Sequence, residues 1–164
     1  MANIKPHEIV EQARTWLGTA YHHQGRLKKS DKGPGGVDCI GLIIGVINEL
    51  GMPDTEGRGR LALWDEDGYS QSPDGFSLRR SIERHLIPLR QDEMAPGDIL
   101  LFKLHRDPQH LGIVSDYPGG DIGVIHCHSR SGAVVEHPLS PAWRRMLVKP
   151  YRFRPEHLRR QPHE

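Results

Sequence analysis

Cysteine is scarce in this sequence, which has only two among its 164 residues, Cys39 and Cys127. Two cysteines do not make a disulfide framework, and neither stands in a C-x-x-C pair or another compact zinc spacing. Long apolar runs are lacking too: no stretch reaches the roughly 18 apolar residues of a membrane span, and residues 1–11 hold no signal-peptide core. We therefore expect reduced thiols, no membrane span, and synthesis in the cytoplasm without a signal peptide.

An excess of either charge is also absent, since 22 lysines and arginines face 21 aspartates and glutamates. Such a balance gives no general attraction to nucleic acid or to a membrane surface, so function has to come from a local site. The length predicts one domain over residues 1–164, with a core over about 5–153 and a frayed polar tail over 155–164. Histidine is abundant at 11 residues. We expect His7, His157 and His163 to be exposed in polar segments.

The stretch from Gly35 to Leu50 is a glycine turn followed by a cysteine and an apolar run. Its isoleucines recur at spacings of three and four residues, which predicts a buried helix that begins close to Cys39. Cys39 would then lie at the positive end of the helix dipole, an environment that favours the nucleophilic thiolate. The alternative is that Cys39 is an ordinary buried thiol. Gly41 and Gly45 predict the close approach of a neighbouring element.

Helices are predicted before strands along the chain. Apolar residues at helical spacing predict one helix over Pro6–Leu17 and another over Phe76–Leu86. The polar segment Pro53–Pro73 is predicted to be a long surface loop and a candidate wall of the site. Strands are predicted over Ile99–Leu104, His110–Tyr117, Ile122–His128, Ala133–His137 and Met146–Phe153. This order predicts an α+β fold in which N-terminal helices, the cysteine helix among them, pack on an antiparallel sheet of about five strands.

Strand parity distinguishes the histidines near the end of the chain. Residues two apart on a strand share a face, so His126 and His128 point one way and Cys127, a structural residue by this pattern, points the other. If the Cys39 helix packs on the face that displays His126, then His110 on the preceding strand reaches the same point. A Cys-His-His arrangement results, in which one base holds the thiolate and a third polar group fixes the tautomer of that base. A zinc site is the alternative use of these residues.

Several blocks of the sequence, in this order and rough spacing, resemble the NlpC/P60 cysteine peptidases. They are Gly18-Thr19-Ala20-Tyr21, Asp38-Cys39-Ile40-Gly41-Leu42, Pro96-Gly97-Asp98-Ile99-Leu100-Leu101-Phe102, His110-Leu111-Gly112-Ile113-Val114 and Ile125-His126. The match runs from about residue 5 to residue 150. The chain looks most similar to the phage-tail and gene-transfer-agent branch of cell-wall peptidases. Three features carry this likeness: the loop Tyr21-His22-His23-Gln24-Gly25-Arg26, the block Cys39-Ile40-Gly41-Leu42, and the run Trp143-Arg144-Arg145.

The resemblance implies a papain-like core and hydrolysis of amide bonds in peptidoglycan stem peptides, commonly between D-glutamate and a diamino acid. It implies Cys39 as the nucleophile, His110 as the general base and His126 as the group that orients this base. Tyr21 corresponds to a tyrosine beside the nucleophile, and Asp38 to a residue that helps to bind the free amino terminus of the substrate. The Cys39 backbone N–H would contribute to an oxyanion hole. No metal or organic cofactor is implied.

The resemblance also implies partners and a location. We expect a peptidoglycan peptide as the substrate, phage-tail proteins as neighbours, and carriage in a virion or phage-like particle, with no nucleic acid partner. One departure concerns Ile40, which stands where the family usually has a serine that helps to recognise the substrate amino terminus. The scissile bond and the stem-peptide specificity are therefore left open.

Two alternative functions come from the same residues. Ile40 and the long middle loop favour a non-catalytic module that binds tail proteins or peptidoglycan. The Cys-His dyad equally serves an amidase or acyltransferase that acts on another acyl substrate. His22, His23 and His128 are further candidates for the site.

Overall fold

A computed structural model describes residues 3–53, 77–105 and 109–160 of the chain. Apart from Pro53, the predicted loop Pro53–Pro73 lies outside these residues, and so does Phe76, the predicted start of a helix. In the three described ranges the chain forms four α-helices and eight strands, two of which make a small separate hairpin.

The α-helices are α1 (Pro6–Arg14), α2 (Cys39–Leu50), α3 (Ser77–His85) and α4 (Pro141–Met146). The prediction of α2 is confirmed: Asp38 caps it, with Oδ1 accepting the Gly41 N–H at 2.8 Å, and Gly51 ends it with a left-handed φ of 66°. α1 ends before the predicted Leu17, because residues 15–18 form a turn. None of the described helices is long and apolar enough to cross a membrane.

The strands divide into a two-stranded hairpin and a six-stranded sheet. The hairpin consists of β1 (Arg26–Leu27) and β2 (Gly36–Val37). The sheet consists of β3 (Leu86–Pro88), β4 (Ile99–Phe102), β5 (His110–Tyr117), β6 (Asp121–Cys127), β7 (Val134–Pro138) and β8 (Leu147–Phe153). Its order is β3-β8-β4-β5-β6-β7, and every neighbouring pair is antiparallel. The predicted α+β class is confirmed.

The five predicted strands correspond to β4 to β8, and the differences lie at their margins. β4 to β7 form the predicted meander, but β8 returns to lie between β3 and β4. β3 is not predicted by the sequence pattern: the predicted helix extends to Leu86, whereas Leu86 pairs with Phe153 of β8. α4 was also missed, although Ser140 and Pro141 are preferred residues at a helix start. Met146 ends this helix and does not begin the last strand.

Each face of the six-stranded sheet covers its own apolar core. The first core lies between one face of the sheet and the helices α1 and α2. These helices pack on side chains at alternate positions of β5 and β6: Leu111, Ile113, Ile125 and Cys127. The opposite face belongs to a second core, which contains Leu100, Phe102, Val114, Val124 and Leu139, with Trp143 packed against it. Cys127 lies on this helix-covered face; strand parity predicted that it faces away from His126, but not that α2 covers it.

His110 and His126 lie on the face opposite to α2. Val124 and His126 are two residues apart in β6 and share a face, and the ring of Trp143 is 6.3 Å from the His110 ring and 4.7 Å from the His126 ring. α2 therefore does not pack on the face that displays His126, so the condition under which His110 was predicted to reach Cys39 is not met. α2 is apolar along most of its length and packs where β5 and β6 offer aliphatic side chains, whereas their other face is interrupted by the polar rings.

The tail from Pro155 is not frayed over its described part. Residues Pro155–Leu158 form a short 3₁₀ helix, and the Leu158 carbonyl accepts a hydrogen bond from the Ile4 N–H at 2.6 Å. Leu158 packs against the first core, and His157 is fully buried. The expectation that His157 is exposed is therefore wrong, because this segment joins the N-terminal residues in covering the core.

Replacement of Gly45 by alanine is expected to destabilise the fold, because Gly45 lets Trp16 approach α2. A Cβ at this position would lie 2.2 Å from Cζ2 and 2.4 Å from Cη2 of Trp16, whose side chain is buried. The clash is expected to cost about 1–3 kcal/mol, of which the higher helix propensity of alanine offsets roughly 1 kcal/mol at most, so the free energy of unfolding is expected to fall. Urea unfolding measures the change. Gly33→Ala is the control, since nothing lies within 4 Å of its Cβ position; equal stability of both variants would contradict the prediction.

Candidate active site

Histidines from three neighbouring strands form a continuous hydrogen-bonded chain. His110 Nε2 is 2.7 Å from His126 Nδ1, and His126 Nε2 is 2.7 Å from His137 Nε2. The chain ends on the backbone, where His137 Nδ1 is 2.8 Å from the carbonyl oxygen of Pro138. The sheet thus brings together the predicted base, the predicted orienting group and a third histidine that sequence reasoning missed.

Burial keeps His110 and His126 neutral. His110 is 2% exposed and His126 is fully buried. Burial is the main cause that lowers the pKa of both rings, and the charge of a protonated neighbour adds to it, from His128 on His110 and first from His110 on His126. A neutral imidazole has one N–H and one lone pair, so it can accept a proton from a thiol.

Trp143 covers the histidine chain from the side of α4. Its ring lies 4.7 Å from the His126 ring and 5.2 Å from the His137 ring, with edge-on or tilted geometry. Phe102 packs edge-on against the same tryptophan at 5.3 Å. Such a cover excludes water and strengthens the hydrogen bonds beneath it. Sequence reasoning used Trp143 only as a mark of resemblance, and the cap residues of α4 were the available signal for its position.

His128 lies beside the same rings. It is half-buried, its ring stacks on that of His126 at 5.1 Å, and it lies 5.4 Å from the His110 ring. It is therefore close enough to influence the protonation of His110, in agreement with its effect on the pKa of that residue.

Cys39 is the first residue of α2, half-buried and packed against the first core. The preceding Asp38 is buried and is used in fixing this corner of the chain: its Oδ2 accepts the Gln24 N–H at 2.9 Å, and its Oδ1 is 3.3 Å from Arg26 Nη1. Together with the cap to Gly41, these contacts tie the loop before α2 to the start of the helix. The Cys39 thiol is thereby held at the N-terminal end of α2.

The N-terminus of α2 lies at the end of the sheet where His110 begins β5. Cys127 ends β6, and because β5 and β6 are antiparallel, it lies at the same end as His110. The Cys127 thiol donates to the Val37 carbonyl at 3.4 Å, and Val37 precedes Cys39 by two residues. Tyr21, half-buried against the first core, forms a bridge with Val37 as well. Cys39, Tyr21 and the sheet end that bears His110 are thus neighbours in the fold.

The two thiols have different surroundings. Cys127 is buried, and burial, with a smaller effect from the charge of Asp38, raises the pKa of its thiol to about 12. It therefore stays protonated at neutral pH, as a structural residue does. Cys39 is only half-buried and lies at a helix N-terminus.

Ile40 lies inside the first core with 5% of its surface exposed. His22 is exposed, with Nδ1 2.9 Å from the His23 carbonyl oxygen, and His23 is half-buried. These two histidines belong to the turn that leads to β1. Among residues 3–53, 77–105 and 109–160, no group of three or more His, Cys, Asp or Glu side chains is arranged to hold a metal ion.

Several solved structures of similar fold are NlpC/P60 proteins, peptidoglycan hydrolases or N-acetylmuramoyl-L-alanine amidases. An NlpC/P60 family protein from Bacillus cereus is 15% identical and has a TM-score of 0.59; the alignment covers 93% of this chain and 41% of that one. The NlpC/p60 domain of peptidoglycan hydrolase SagA is 19% identical at a TM-score of 0.55, with 90% of this chain and 98% of that one covered. An N-acetylmuramoyl-L-alanine amidase from Bacteroides uniformis is 16% identical at 0.52, with 91% and 98% covered.

The chain has the NlpC/P60 fold. No protein-family model matches the sequence, and no curated protein matches it. The chain also spans less than half the length of the Bacillus cereus protein. The NlpC/P60 fold is thus carried here by a sequence with under one-fifth identity to these structures, and Cys39, His110 and His126 stay the predicted catalytic residues.

The free energy of unfolding is expected to fall as the pH drops below about 6.5, the pKa of histidine in an unfolded chain. Burial lowers the pKa of His110 in the folded protein to about 3 and lowers that of His126 as well. Between these values the unfolded chain binds more protons than the folded one, so stability is full above pH 6.5 and is lost towards acid. Each histidine contributes a slope of about 1.4 kcal/mol per pH unit.

Urea unfolding at several pH values between 7 and 5 measures this slope. His110→Gln removes one of the two buried histidines and is expected to reduce the slope by about 1.4 kcal/mol per pH unit, the contribution of one proton. His7→Gln is the matched control, because His7 is exposed in the first turn of α1. A slope that His110→Gln leaves unchanged would show that His110 is not held neutral by burial.

Proposed function

We propose that this protein is a cysteine peptidase that hydrolyses amide bonds in peptidoglycan stem peptides. Cys39 is the nucleophile, His110 the general base, and His126 the group that orients the base. The observation that carries the proposal is the 2.7 Å hydrogen bond between His110 Nε2 and His126 Nδ1, at the end of the sheet next to the N-terminus of α2. The peptidoglycan hydrolases among the structures of similar fold support the choice of substrate.

We infer that Cys39 reaches His110 around the end of the sheet and not across its face. His110 is the first residue of β5, so its ring lies at the strand end, and Cys39 follows Val37, which touches Cys127 at that end. Because Nε2 of His110 is bonded to His126, Nδ1 is the nitrogen proposed to accept the thiol proton. This arrangement explains how His110, on the face of the second core, can act on Cys39, which packs against the first core.

The reaction follows from these roles. Nδ1 of His110 takes the thiol proton, the Cys39 sulfur attacks the substrate carbonyl, and the backbone N–H groups at the start of α2 stabilise the oxyanion. The imidazolium then gives its proton to the leaving amine, which departs and leaves a thioester on Cys39. Water, deprotonated by the same histidine, hydrolyses the thioester and restores the thiol.

The bond cut is proposed to be that between D-glutamate and the diamino acid. Two features differ from the usual family site for this bond. Ile40 has no hydroxyl group where the family usually has a serine. The carboxylate of Asp38 lies 3.3 Å from Arg26, so the ammonium group of the substrate would share this carboxylate with a guanidinium. A second candidate is cleavage of the N-acetylmuramoyl-L-alanine amide, which is favoured by the fold similarity to the amidase from Bacteroides uniformis.

Digestion of purified peptidoglycan separates these functions. Intact sacculi are incubated with the protein, and the soluble products are identified by mass spectrometry. Release of fragments with a new diamino acid amino terminus supports the peptidase, whereas release of whole stem peptides that begin with L-alanine supports the amidase. If the protein binds sacculi but releases no fragments at any incubation time, with reducing agent present, the result would instead support a non-catalytic module.

We also propose carriage of the protein in a phage tail or phage-like particle, on the basis of the loop over residues 21–26 and the run over residues 143–145. The protein would then reach peptidoglycan from outside the cell, as part of the particle. Mass spectrometry of purified particles from the source cells tests this, and consistent absence of the chain from particles that contain the other tail proteins would reject it.

A further inference from the structure

We propose that His137 is a positioning residue, which fixes the proton positions along the histidine chain so that Nδ1 of His110 is a proton acceptor. The inference rests on the proposed function and adds a fourth residue to it. His137 lies in β7, opposite Val124 of β6, and therefore shares a face with His126. The His126 and His137 rings meet edge-on, with centroids 4.8 Å apart and an interplanar angle of 74°.

The direction of the hydrogen bonds follows from their last acceptor. A backbone carbonyl oxygen can only accept, so the Nδ1 of His137, 2.8 Å from the Pro138 oxygen, must carry the hydrogen. A neutral His137 then has a lone pair on Nε2, and this atom accepts from His126 Nε2–H over 2.7 Å.

The same constraint passes to the base. Since Nε2 of His126 donates to His137, Nδ1 of the neutral His126 ring has the lone pair, and it accepts from His110 Nε2–H at 2.7 Å. Nδ1 of His110 is then left with its lone pair for the Cys39 thiol. A single carbonyl oxygen, that of Pro138, thus sets the tautomers of three rings.

Without His137 the direction is no longer imposed. His126 could carry its proton on Nδ1 and donate to Nε2 of His110, and the proton of His110 would then occupy Nδ1 and block acceptance from the thiol. His126 is fully buried and covered by Trp143, so exchange of hydrogen bonds with bulk water is restricted. The orientation of the His110 ring is unaffected by such a change, which separates a positioning role from a packing role.

Histidine ring NMR of the ¹⁵N-labelled protein without substrate tests the tautomers directly. In the native chain we expect Nε2–H for His110 and His126 and Nδ1–H for His137, with His→Gln variants used for assignment. His137→Phe keeps an aromatic ring against Trp143 but removes the acceptor, and it is expected to give a mixture of tautomers at His110. Nδ1–H as the main form of His110 in the native chain would overturn the proposal without any variant.

Kinetics on a soluble stem-peptide substrate give the second readout. His137→Phe is expected to lower kcat roughly 10-fold, with KM changed less than about two-fold, because the base and not substrate binding is affected. His137→Gln, whose Oε1 can accept from His126, is expected to recover most of this loss. His7→Phe, at an exposed position of α1, is the matched control and is expected to keep the native kcat.

The outcomes separate this inference from the proposed function. Native kcat and native tautomers in His137→Phe would reject the positioning role while the peptidase stands. Equal losses in His137→Phe and His137→Gln, with native tautomers in both, would indicate packing alone and also reject it. If the native protein cleaves no peptidoglycan while the expected tautomers are observed, the proposed function fails and the proton arrangement stands.

Discussion

Replacement of Cys39 by alanine is expected to abolish the release of peptides from peptidoglycan, with a loss of about 10⁴-fold or more in kcat. The loss is this large because no thioester can form and the other members of a catalytic set contribute little without the nucleophile. Stability should change by less than about 1 kcal/mol, since Cys39 is half-buried at the helix start and its side chain is small. The measurement is the initial rate of product release from purified sacculi, with unfolding followed in parallel.

Cys127→Ala is the matched control for Cys39→Ala. Cys127 is buried, its thiol donates to the Val37 carbonyl, and burial raises its pKa to about 12. The variant should lose some stability and keep its activity. A thiol-reactive probe in the folded protein at neutral pH is expected to label Cys39 in preference to Cys127. Undiminished release by Cys39→Ala would rule out the mechanism, and preferential labelling of Cys127 would contradict the assignment of the reactive thiol.

Replacement of His110 by glutamine is expected to lower kcat by about 10³-fold, the second largest effect predicted here. The amide of glutamine cannot accept the thiol proton and return it to the leaving amine. Its Nε2–H₂ group can still donate to Nδ1 of His126, in place of the native 2.7 Å hydrogen bond. The fold should therefore persist. The rate of Cys39 labelling by the probe should fall together with kcat, because both depend on the same base.

His7→Gln controls for the loss of a histidine as such, since His7 is exposed in α1. A kcat for His110→Gln within about ten-fold of the native value would exclude His110 as the general base. In that case His128, whose ring lies 5.4 Å from that of His110, would be the next candidate, and His128→Gln would be the deciding variant.

The sequence predicted α2 and the pairing of His110 with His126 because both depend on local periodicity. The helix is set by isoleucines at spacings of three and four residues, by the cap at Asp38 and by Gly51. The common face of the two histidines follows from a period of two residues along β6 and from antiparallel pairing with β5. Gly45 was likewise recognisable as a site of close approach, although its partner, Trp16, was not.

His137 was missed although a signal for it existed. It ends the predicted strand over residues 133–137, and the turn over residues 129–132 sets the register in which it lies opposite Val124. Parity then gives it the same face as His126. What could not be predicted is the bond to the Pro138 carbonyl, because it depends on side-chain rotation and on the backbone at the end of the strand.

The sequence by itself determined the helix that carries Cys39, the α+β order of the elements, and the face shared by His110, His126 and His128. Only the tertiary structure decided which face of the sheet α2 covers, that Trp143 covers the histidines, and that His157 is buried. The physical reason is that periodicity shows that a face is apolar but not which partner covers it. That choice depends on the competition among all apolar surfaces of the chain for the same area.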